Sequence, residues 1–484
     1  MDRIRDGYLS AAGSTADAAL DWRLTLGRES DMGFDDRPDR RDLRSLNLRL
    51  DWQQSLTDSW FVGLGGTVGA REDGRFGDPN DPPRDRDVRW AWQHLRWTRA
   101  TGEDELTAQV FHQRRRSRER YTAVYDKVGG VPITAIVDTD ASYSSERLDA
   151  ELQWTRAPRP GLRWALGASA RLDRVRARRY FGRRDWLENH VQRLFGTFEL
   201  EAAPRLTVHG GAMLERDGIS GWKLAPRLAL NVRLAPWATL RFAASRAHRT
   251  PLLVEERAEA RETAVTALGD VTVPLILASG GLTAERILSR EAGLVVHRRH
   301  LTGNLRVFRE DLSDVIYSPK RPVTVGTPLG PVSVKAYDFV NAQSATVQGA
   351  ELEAAWRRGP LLAHLAYAYT VIDGRGPEAD ELERSAPRHV GSLLAGWRLP
   401  RGWTVSGVYY YIGKFQALGF ADEIGAVRRL DLRLARRLRR GAARGEVALV
   451  AQNLLDTYPE TRQRPGKGPN FFDTRVFLEV RVER

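Results

Sequence analysis

Residues 45–52 read Ser-Leu-Asn-Leu-Arg-Leu-Asp-Trp, an alternation of apolar and polar side chains with a period of two. Successive side chains of a β-strand point to opposite faces, so this stretch predicts a strand with one apolar face and one charged face. The spacing typical of amphipathic helices is almost absent from the chain. The alternation recurs at residues 147–154, 162–172, 228–234, 350–356, 430–434 and 476–483. The sequence therefore predicts an all-β protein.

The composition excludes several classes of protein. The 484 residues are 28% charged and 42% hydrophobic, with too little Gly and Pro for a collagen-like or disordered chain. No run of about 18 apolar residues occurs, so no membrane-spanning helix is expected, and residues 1–10 lack the apolar core of a signal peptide. The chain has no cysteine. Disulfide scaffolds, thiolate metal sites and cysteine nucleophiles are therefore excluded.

The net charge of +13 is carried almost wholly by arginine, since lysine occurs at only six positions. A basic chain can bind nucleic acid through its phosphates. Arginine also pairs well with carboxylates in a polar cavity, because its planar fork binds them bidentately. We therefore expect solvated or luminal arginines and no nucleic-acid partner.

The length of the alternating runs favours a transmembrane β-barrel over a soluble sandwich. Strands of a sandwich have about 5–6 residues, whereas barrel strands of about 9–11 residues contact lipid on one face and a wet lumen on the other. Short and long connections also alternate, as they do in outer-membrane barrels. The long ones are predicted near residues 29–40, 70–87, 121–141, 174–189, 249–283, 314–337, 373–388, 414–424 and 456–470.

The count of connections predicts roughly 21 strands, whereas single-chain bacterial barrels have an even number. The first recognisable strand, near residues 5–12, runs into a short turn. We therefore expect one further strand before it, which makes a transmembrane antiparallel β-barrel of about 22 strands when complete. The charged face of the strands should line the lumen. Its predicted members include Arg49, Asp51, Arg147, Asp149, Glu151, Glu351 and Glu353.

A barrel of about 22 strands has the size of plugged outer-membrane transporters. The C-terminal half resembles the TonB-dependent receptor family in several ordered segments. Asn453, Leu454, Leu455, Asp456 and Tyr458 are similar to its Asn-Leu-Phe-Asp-x-x-Tyr signature, with one residue fewer before the tyrosine. The other similar segments are Arg249-Thr250-Pro251 with residues 281–285 (Arg-x-Pro and Leu-x-x-Glu), residues 291–294 (Glu-x-Gly-Leu), and residues 341–353 around Gly349-Ala350-Glu351.

The resemblance implies an outer-membrane receptor of a Gram-negative bacterium that imports a large scarce nutrient, such as a ferric siderophore or similar iron chelate. It also implies as partners the TonB energising complex, acting through a plug and its box, outer-membrane lipid and lipopolysaccharide, and the barrel insertion machinery. We expect residues 1–484 to form the barrel domain of a longer receptor, without its plug, signal peptide and first strand. The family's terminal aromatic residue is also missing from the end Val482-Glu483-Arg484. The alternatives are a plugless passive channel and a soluble β-rich carbohydrate-binding protein.

Ligand recognition is expected in the long loops, because loops on a rigid scaffold carry binding residues. The loop 174–189 interleaves arginines with aromatic residues, which suits an anionic, partly aromatic ligand. The predicted ligand-binding residues are Arg176, Arg178, Arg179, Tyr180, Arg183, Arg184 and Trp186. Alternatively, these arginines and those of residues 114–120 pair with lipopolysaccharide or loop carboxylates. We expect an interfacial girdle at Trp90, Trp92, Trp97, Tyr409, Tyr410 and Tyr411.

No catalytic constellation is apparent in the sequence. The nine histidines are scattered, and His297 and His300 lie at a predicted short turn without an acidic cluster. No phosphate-binding glycine loop stands between a strand and a helix. We therefore expect neither an enzyme nor a resident metal or cofactor.

Overall fold

The computed structural model describes residues 4–33, 37–127, 132–418, 423–440, 443–455, 458–459 and 471–483. Long antiparallel strands make up most of it, joined alternately by short turns and long connections. Within the described residues, no helix has both the length and the apolar character needed to cross a membrane.

Within the described residues, the elements follow one another closely along the chain. The first ten strands are β1 (Ile4–Ser14), β2 (Leu20–Asp31), β3 (Arg41–Gln53), β4 (Asp58–Asp73), β5 (Arg84–Thr101), β6 (Asp104–Arg118), β7 (Arg120–Tyr125), β8 (Ala135–Asp140), β9 (Tyr143–Arg159) and β10 (Leu162–Arg176). The middle part contains α1 (Arg178–Phe181), β11 (Leu187–Ala203), β12 (Leu206–Asp217), β13 (Gly221–Ala235), β14 (Ala238–Arg249), α2 (Leu253–Arg257), β15 (Glu259–Thr266), β16 (Gly269–Leu277), β17 (Glu285–Arg298) and β18 (Leu301–Tyr317).

The last part continues the same arrangement. It contains β19 (Lys320–Thr327), β20 (Gly330–Tyr337), β21 (Val340–Arg358), β22 (Leu361–Arg375), α3 (Ala379–Arg384), β23 (His389–Arg398), a short 3₁₀ turn (Pro400–Gly402), β24 (Trp403–Ile412), β25 (Phe415–Gln416), β26 (Glu423–Ile424), β27 (Val427–Arg440), β28 (Ala443–Gln452), β29 (Tyr458–Pro459), β30 (Phe471–Phe472) and β31 (Arg475–Glu483).

One sheet of 21 strands forms the body of the protein, which confirms the predicted number. Each of its strands pairs antiparallel with the main strands that precede and follow it, so the sheet is a continuous meander. At its two ends, β1 pairs with β2 and β31 pairs with β28. Within the described residues, no pairing joins β1 to β31. The predicted further strand stays a prediction.

The register gives the sheet one apolar face and one charged face, because directly paired residues share a face. One row of paired residues runs across seven strands and is wholly apolar: Trp22, Leu50, Val62, Leu95, Val110, Ala150 and Ala170. Many side chains of this outer face are exposed, including Leu166 (51%) and Leu194 (59%). A continuous exposed apolar band fits contact with lipid.

The opposite, luminal face carries the charges that the sequence places there. Arg49, Arg147 and Glu351 pair across strands with other residues of this face, as predicted. Arg306 lies 2.6 Å from Glu291 and 3.1 Å from Glu351. Such pairs offset the cost of lining the wall with charge.

The predicted aromatic girdle is only half right. The register places Trp97, Tyr409 and Tyr411 on the outer face, where they can lie at a membrane interface. It places Trp90, Trp92 and Tyr410 on the luminal face, so the prediction was wrong for these three. Inside, the Trp92 indole packs over Gly65, where an added Cβ would lie 2.4 Å from Trp92 Nε1. Glycine at that position makes room for the ring.

The assignment of faces predicts opposite outcomes for two neighbouring substitutions on β10. Leu166→Arg, on the outer face, should lower the free energy of unfolding by about 2–4 kcal/mol, because it places a charge near the middle of the bilayer. Ser169→Arg, on the luminal face opposite Glu151, should change it by less than about 1 kcal/mol. Denaturant titration of the protein in phospholipid bilayers checks both, and equal losses would contradict the assignment.

Candidate functional site

Three long connections at one end of the barrel, called here the loop end, fold into a second sheet. Each supplies one hairpin: β7 with β8, β15 with β16, and β19 with β20. The hairpins join where Ile136 pairs with Val265 and where Ile276 pairs with Tyr337. This six-stranded loop sheet was not predicted, although the alternation at residues 271–277 and 322–334 is a strand signal.

A small core and a buried carboxylate hold the loop sheet together. Ala135, Val137 and Ala264 form a buried cluster beneath Tyr125. Asp338, only 1% exposed, accepts hydrogen bonds from Ser279 N at 2.7 Å and Ser279 Oγ at 3.1 Å. It also lies 2.7 Å from Arg321 Nη2. These contacts tie the second loop to the third.

The two helices α1 and α2 meet at the luminal side of the rim. Phe181 of α1 is buried with Ala177 and Leu187, and Leu253 and Val254 of the α2 loop pack against this cluster. Leu187 pairs with Val175, whose position in β10 belongs to the luminal face. The cluster therefore joins two loops over the inner edge of the barrel.

A cavity of about 260 Å³ lies beside this cluster. Its walls include the luminal residues Arg147, Arg171, Asp173 and Asn189, and residues 250–253 of the α2 loop. Asp173 lies between the two guanidinium groups, 2.5 Å from Arg147 Nε and 2.9 Å from Arg171 Nε. One carboxylate between two arginines leaves a net positive charge in the wall.

Two polar atoms of this luminal cavity are buried without a hydrogen-bond partner among the described residues: Asn189 Oδ1 and Arg171 Nε. The Arg171 nitrogen is close to Asp173 but lacks hydrogen-bond geometry toward it. Buried polar atoms are nearly always satisfied by protein, water or ligand. The cavity can therefore take up a further polar group: the Asn189 oxygen accepts from a donor such as water, and the net positive charge of the wall favours an anion.

The seven residues predicted to bind ligand lie in different environments. Arg179 donates a hydrogen bond to the Tyr121 hydroxyl and pairs with Glu262 of the loop sheet at 2.9 Å. Burial by itself would lower the pKa of Arg179, but the charge of Glu262 and the Tyr121 hydrogen bond raise it above its ordinary value. This guanidinium is therefore engaged in holding loops together.

The other six do not converge on the luminal cavity. Arg183 pairs with Asp185, and its hydrogen bonds lower the pKa of that carboxyl to about 2. Tyr180 is 40% exposed. Three arginines and the tryptophan lie at a separate cleft or beside it: Arg176, Arg178, Arg184 and Trp186. Ligand binding by the seven residues stays a prediction.

The residues that carry the family resemblance shape the rim. Arg249 lies 2.6 Å from Glu285 and 3.2 Å from Glu255, so it joins the two similar segments in one ion-pair cluster. The Asn341 side chain donates to the Thr283 and Asp314 carbonyls at 3.1 and 2.6 Å. Asp456 lies outside the described residues. Within them, no group of three His, Asp or Glu side chains is arranged to hold a metal ion.

Comparison with known proteins gives consistent matches. A family model described as "TonB dependent receptor-like, beta-barrel" matches residues 2–454. The siderophore receptor PirA from Acinetobacter baumannii has a TM-score of 0.78 at 11% identity, covering 100% of this chain and 78% of that one. No curated protein matches the sequence.

Two further structures share the fold. A mutant of the ferric enterobactin receptor PfeA from Pseudomonas aeruginosa, in complex with enterobactin, has a TM-score of 0.77 at 14% identity, covering 99% of this chain and 78% of that one. The copper transporter OprC has a TM-score of 0.70 at 15% identity, with the same coverage of 99% and 78%.

The loop sheet predicts that Asp338 controls proteolysis of the loops. Asp338→Ala removes two hydrogen bonds and an ion pair and should weaken the docking of β20 on β16 by about 1–3 kcal/mol. Asp270→Ala, at an exposed site of the same sheet, serves as the control. Protease applied to intact cells should cut the Asp338 variant faster in residues 318–339. Cleavage at the rate of the control would contradict the role of Asp338.

Proposed function

The chain belongs to the TonB-dependent receptor-like β-barrel family, and from that premise we propose that it imports a ferric siderophore or a similar anionic iron chelate. It is a β-barrel protein of the Gram-negative outer membrane, and its family and structural neighbours are transport receptors. The chemistry of the imported ligand is inferred from the luminal cavity.

The observation that supports this step is the pair of arginines around Asp173. Arg147 is partly open to the lumen, with 41% of its side chain exposed, whereas Arg171 is 18% exposed. A guanidinium group binds two oxygen atoms at once, which matches the carboxylate or catecholate oxygens of an iron chelate. The low local dielectric of a partly closed cavity strengthens such contacts. An anionic chelate therefore suits this wall better than a neutral sugar.

The names of two of the three structural neighbours support the same cargo. PirA is a siderophore receptor and the PfeA mutant contains enterobactin, whereas OprC is a copper transporter. The seven loop residues have a secondary place in the proposal. Arg179 and Tyr180 belong to α1, whose Phe181 packs on the α2 loop beside the cavity. Because Arg179 is already paired with Glu262, the ligand contact that we propose for this helix is made by the exposed Tyr180.

Energised uptake further requires the TonB complex to act on a plug domain. We include this coupling in the proposal because the family model matches residues 2–454. A passive channel of the same architecture makes the opposite prediction. The native product should be nearly closed in a planar bilayer if it is a plugged receptor, and stably conducting if it is a channel.

The proposal is tested by the double variant Arg147→Gln, Arg171→Gln. We expect binding of ferric enterobactin, used as the anionic probe, to weaken by at least about tenfold, because each charged hydrogen bond contributes about 1.5–3 kcal/mol. Intrinsic fluorescence titration of the receptor from outer membranes gives the dissociation constant. Growth on the same chelate under iron limitation should fall in parallel.

The matched control is Arg290→Gln, Arg309→Gln. These two arginines also flank one aspartate, at 3.1 and 3.2 Å from Asp311, but they lie on the outer face. The control should bind the probe as the parent does. If the luminal variant binds the probe as tightly as the parent, the luminal cavity is not the binding site. If the receptor binds none of a panel of anionic ferric siderophores, the iron-chelate assignment is wrong.

A further inference from the structure

The outer face changes from apolar to basic at one level on β5, β6 and β10, and a serine stands at the same level on the intervening β9. On β10 the outer positions from Leu162 to Leu172 are apolar, and the next two are Arg174 and Arg176. A tilted strand of about 9–11 residues crosses the hydrocarbon core. The two arginines therefore follow directly on the lipid-contacting part of the strand.

The pairing of β10 with β9, β6 and β5 extends this basic level sideways. Arg176 pairs with Ser144, Ser144 with Arg116, and Arg116 with Arg89. One step further from the membrane, Arg118 pairs with Asp87. Paired residues share a face, so these side chains stand on the outer wall and not in the lumen.

A cleft of about 660 Å³ opens among these side chains and is called here the arginine cleft. It is lined by six arginines: Arg116, Arg118, Arg120, Arg176, Arg178 and Arg184. Four acidic residues also line it: Asp85, Asp87, Glu119 and Asp140. Its formal charge is therefore positive even when every carboxylate is counted.

Two of the four carboxylates are already occupied by other contacts. Asp140 lies 3.2 Å from Arg120, and Glu119 lies 2.6 Å from Arg84, which is not part of the lining. By contrast, five arginines of the lining have no ion pair with any described carboxylate: Arg116, Arg118, Arg176, Arg178 and Arg184. Five unpaired guanidinium groups in one cleft repel one another and leave donors free, so an anion would stabilise them.

One aromatic residue at this cleft also suits an interfacial ligand. The Trp186 ring lies beneath the guanidinium groups of Arg174 and Arg176, at 4.9 and 5.1 Å. Tryptophan is enriched at the level of lipid headgroups. The cleft thus combines free phosphate-type donors with an aromatic residue at the membrane interface.

We propose that the arginine cleft binds the phosphate groups of a phosphorylated lipid of the outer leaflet. Arginine forks match phosphate oxygens bidentately, and the cleft stands on the lipid side of the wall immediately beyond the apolar band. A lipid held there has its acyl chains against Leu148 and Leu172 and its headgroup against the arginines. The import ligand, in contrast, passes through the lumen on the opposite face of the same strands. This site is therefore independent of the proposed cargo.

The experiment compares the receptor purified from outer membranes with the variant Arg116→Gln, Arg118→Gln, Arg176→Gln. Both are delipidated in a neutral detergent and titrated with bisphosphorylated lipid A, and bound lipid is counted by native mass spectrometry. Each interfacial arginine attracts an anionic lipid, so we expect the variant, which lacks three of them, to bind at least about tenfold more weakly. Lipid A without its phosphates should bind both proteins equally and weakly.

The matched control is Arg28→Gln, Arg290→Gln, Arg375→Gln. These arginines stand on the same outer wall near the loop end and remove the same charge, but each has an aspartate partner. The control should retain the parental affinity, and heat-modifiable gel migration shows that each variant is folded. An equal loss of lipid A affinity in the control variant would show that net charge alone causes the effect, and it would overturn the proposal.

Two further measurements distinguish a lipid phosphate from free phosphate and from the import ligand. Inorganic phosphate at about 10 mM should compete weakly, because it lacks the acyl chains whose burial contributes most of the affinity of a lipid. Full competition would assign the cleft to free phosphate and overturn the lipid assignment. Loss of ferric enterobactin binding in the cleft variant, with lipid A binding intact, would assign the cleft to the import ligand instead.

Discussion

The structure depends on one constraint: within a bilayer, every backbone N–H and C=O group of a strand must be hydrogen-bonded by a neighbouring strand. Apart from the unpaired outer edges of β1 and β31, the described meander of 21 strands meets this demand through long, almost unbroken ladders. Because side chains alternate, a fixed ladder also fixes the face of every residue. A shift of one position in β10 would turn Leu166 into the lumen and Arg171 into lipid. The register therefore decides both the stability of the wall and the chemistry of the lumen.

Outside the bilayer the same constraint acts locally. At the loop end, β7, β15 and β19 begin hairpins that could each face water, yet they pair edge to edge in one sheet. This pairing covers the facing edges of β8 and β15 and of β16 and β20, leaves β7 and β19 as the edge strands, and gives the loops a fixed shape. A single described residue pair, Ile276 with Tyr337, joins β16 to β20, and the buried Asp338 carboxylate reinforces this pairing. The loop sheet can therefore hold α1 and α2 at the inner rim, where the luminal cavity lies.

Arginine has different roles on the two faces of the wall. On the luminal face, Arg147 and Arg171 share one aspartate and leave a positive cavity with unsatisfied polar atoms. On the outer face, Arg116 and Arg176 have no described carboxylate partner and stand beyond an apolar band. The same residue type therefore suits an imported anion in one place and a lipid phosphate in the other. The two groups of arginines differ only in the face of the sheet on which they lie and in whether a carboxylate pairs with them.

The sequence by itself determined the class of fold, the number of visible strands, the alternation of turns and long loops, and the inward position of charges such as Arg49 and Glu351. These features follow from period-two alternation and connection length, which are local properties. Only the tertiary structure decided that Trp90 and Trp92 face inward, that three loops form one sheet, and that Arg176 and Arg178 join Arg116 and not Arg179. The reason is physical: Ile136 and Val265 are far apart in the chain and meet only because the sheet curves, and no local pattern records the curvature that brings distant loops together.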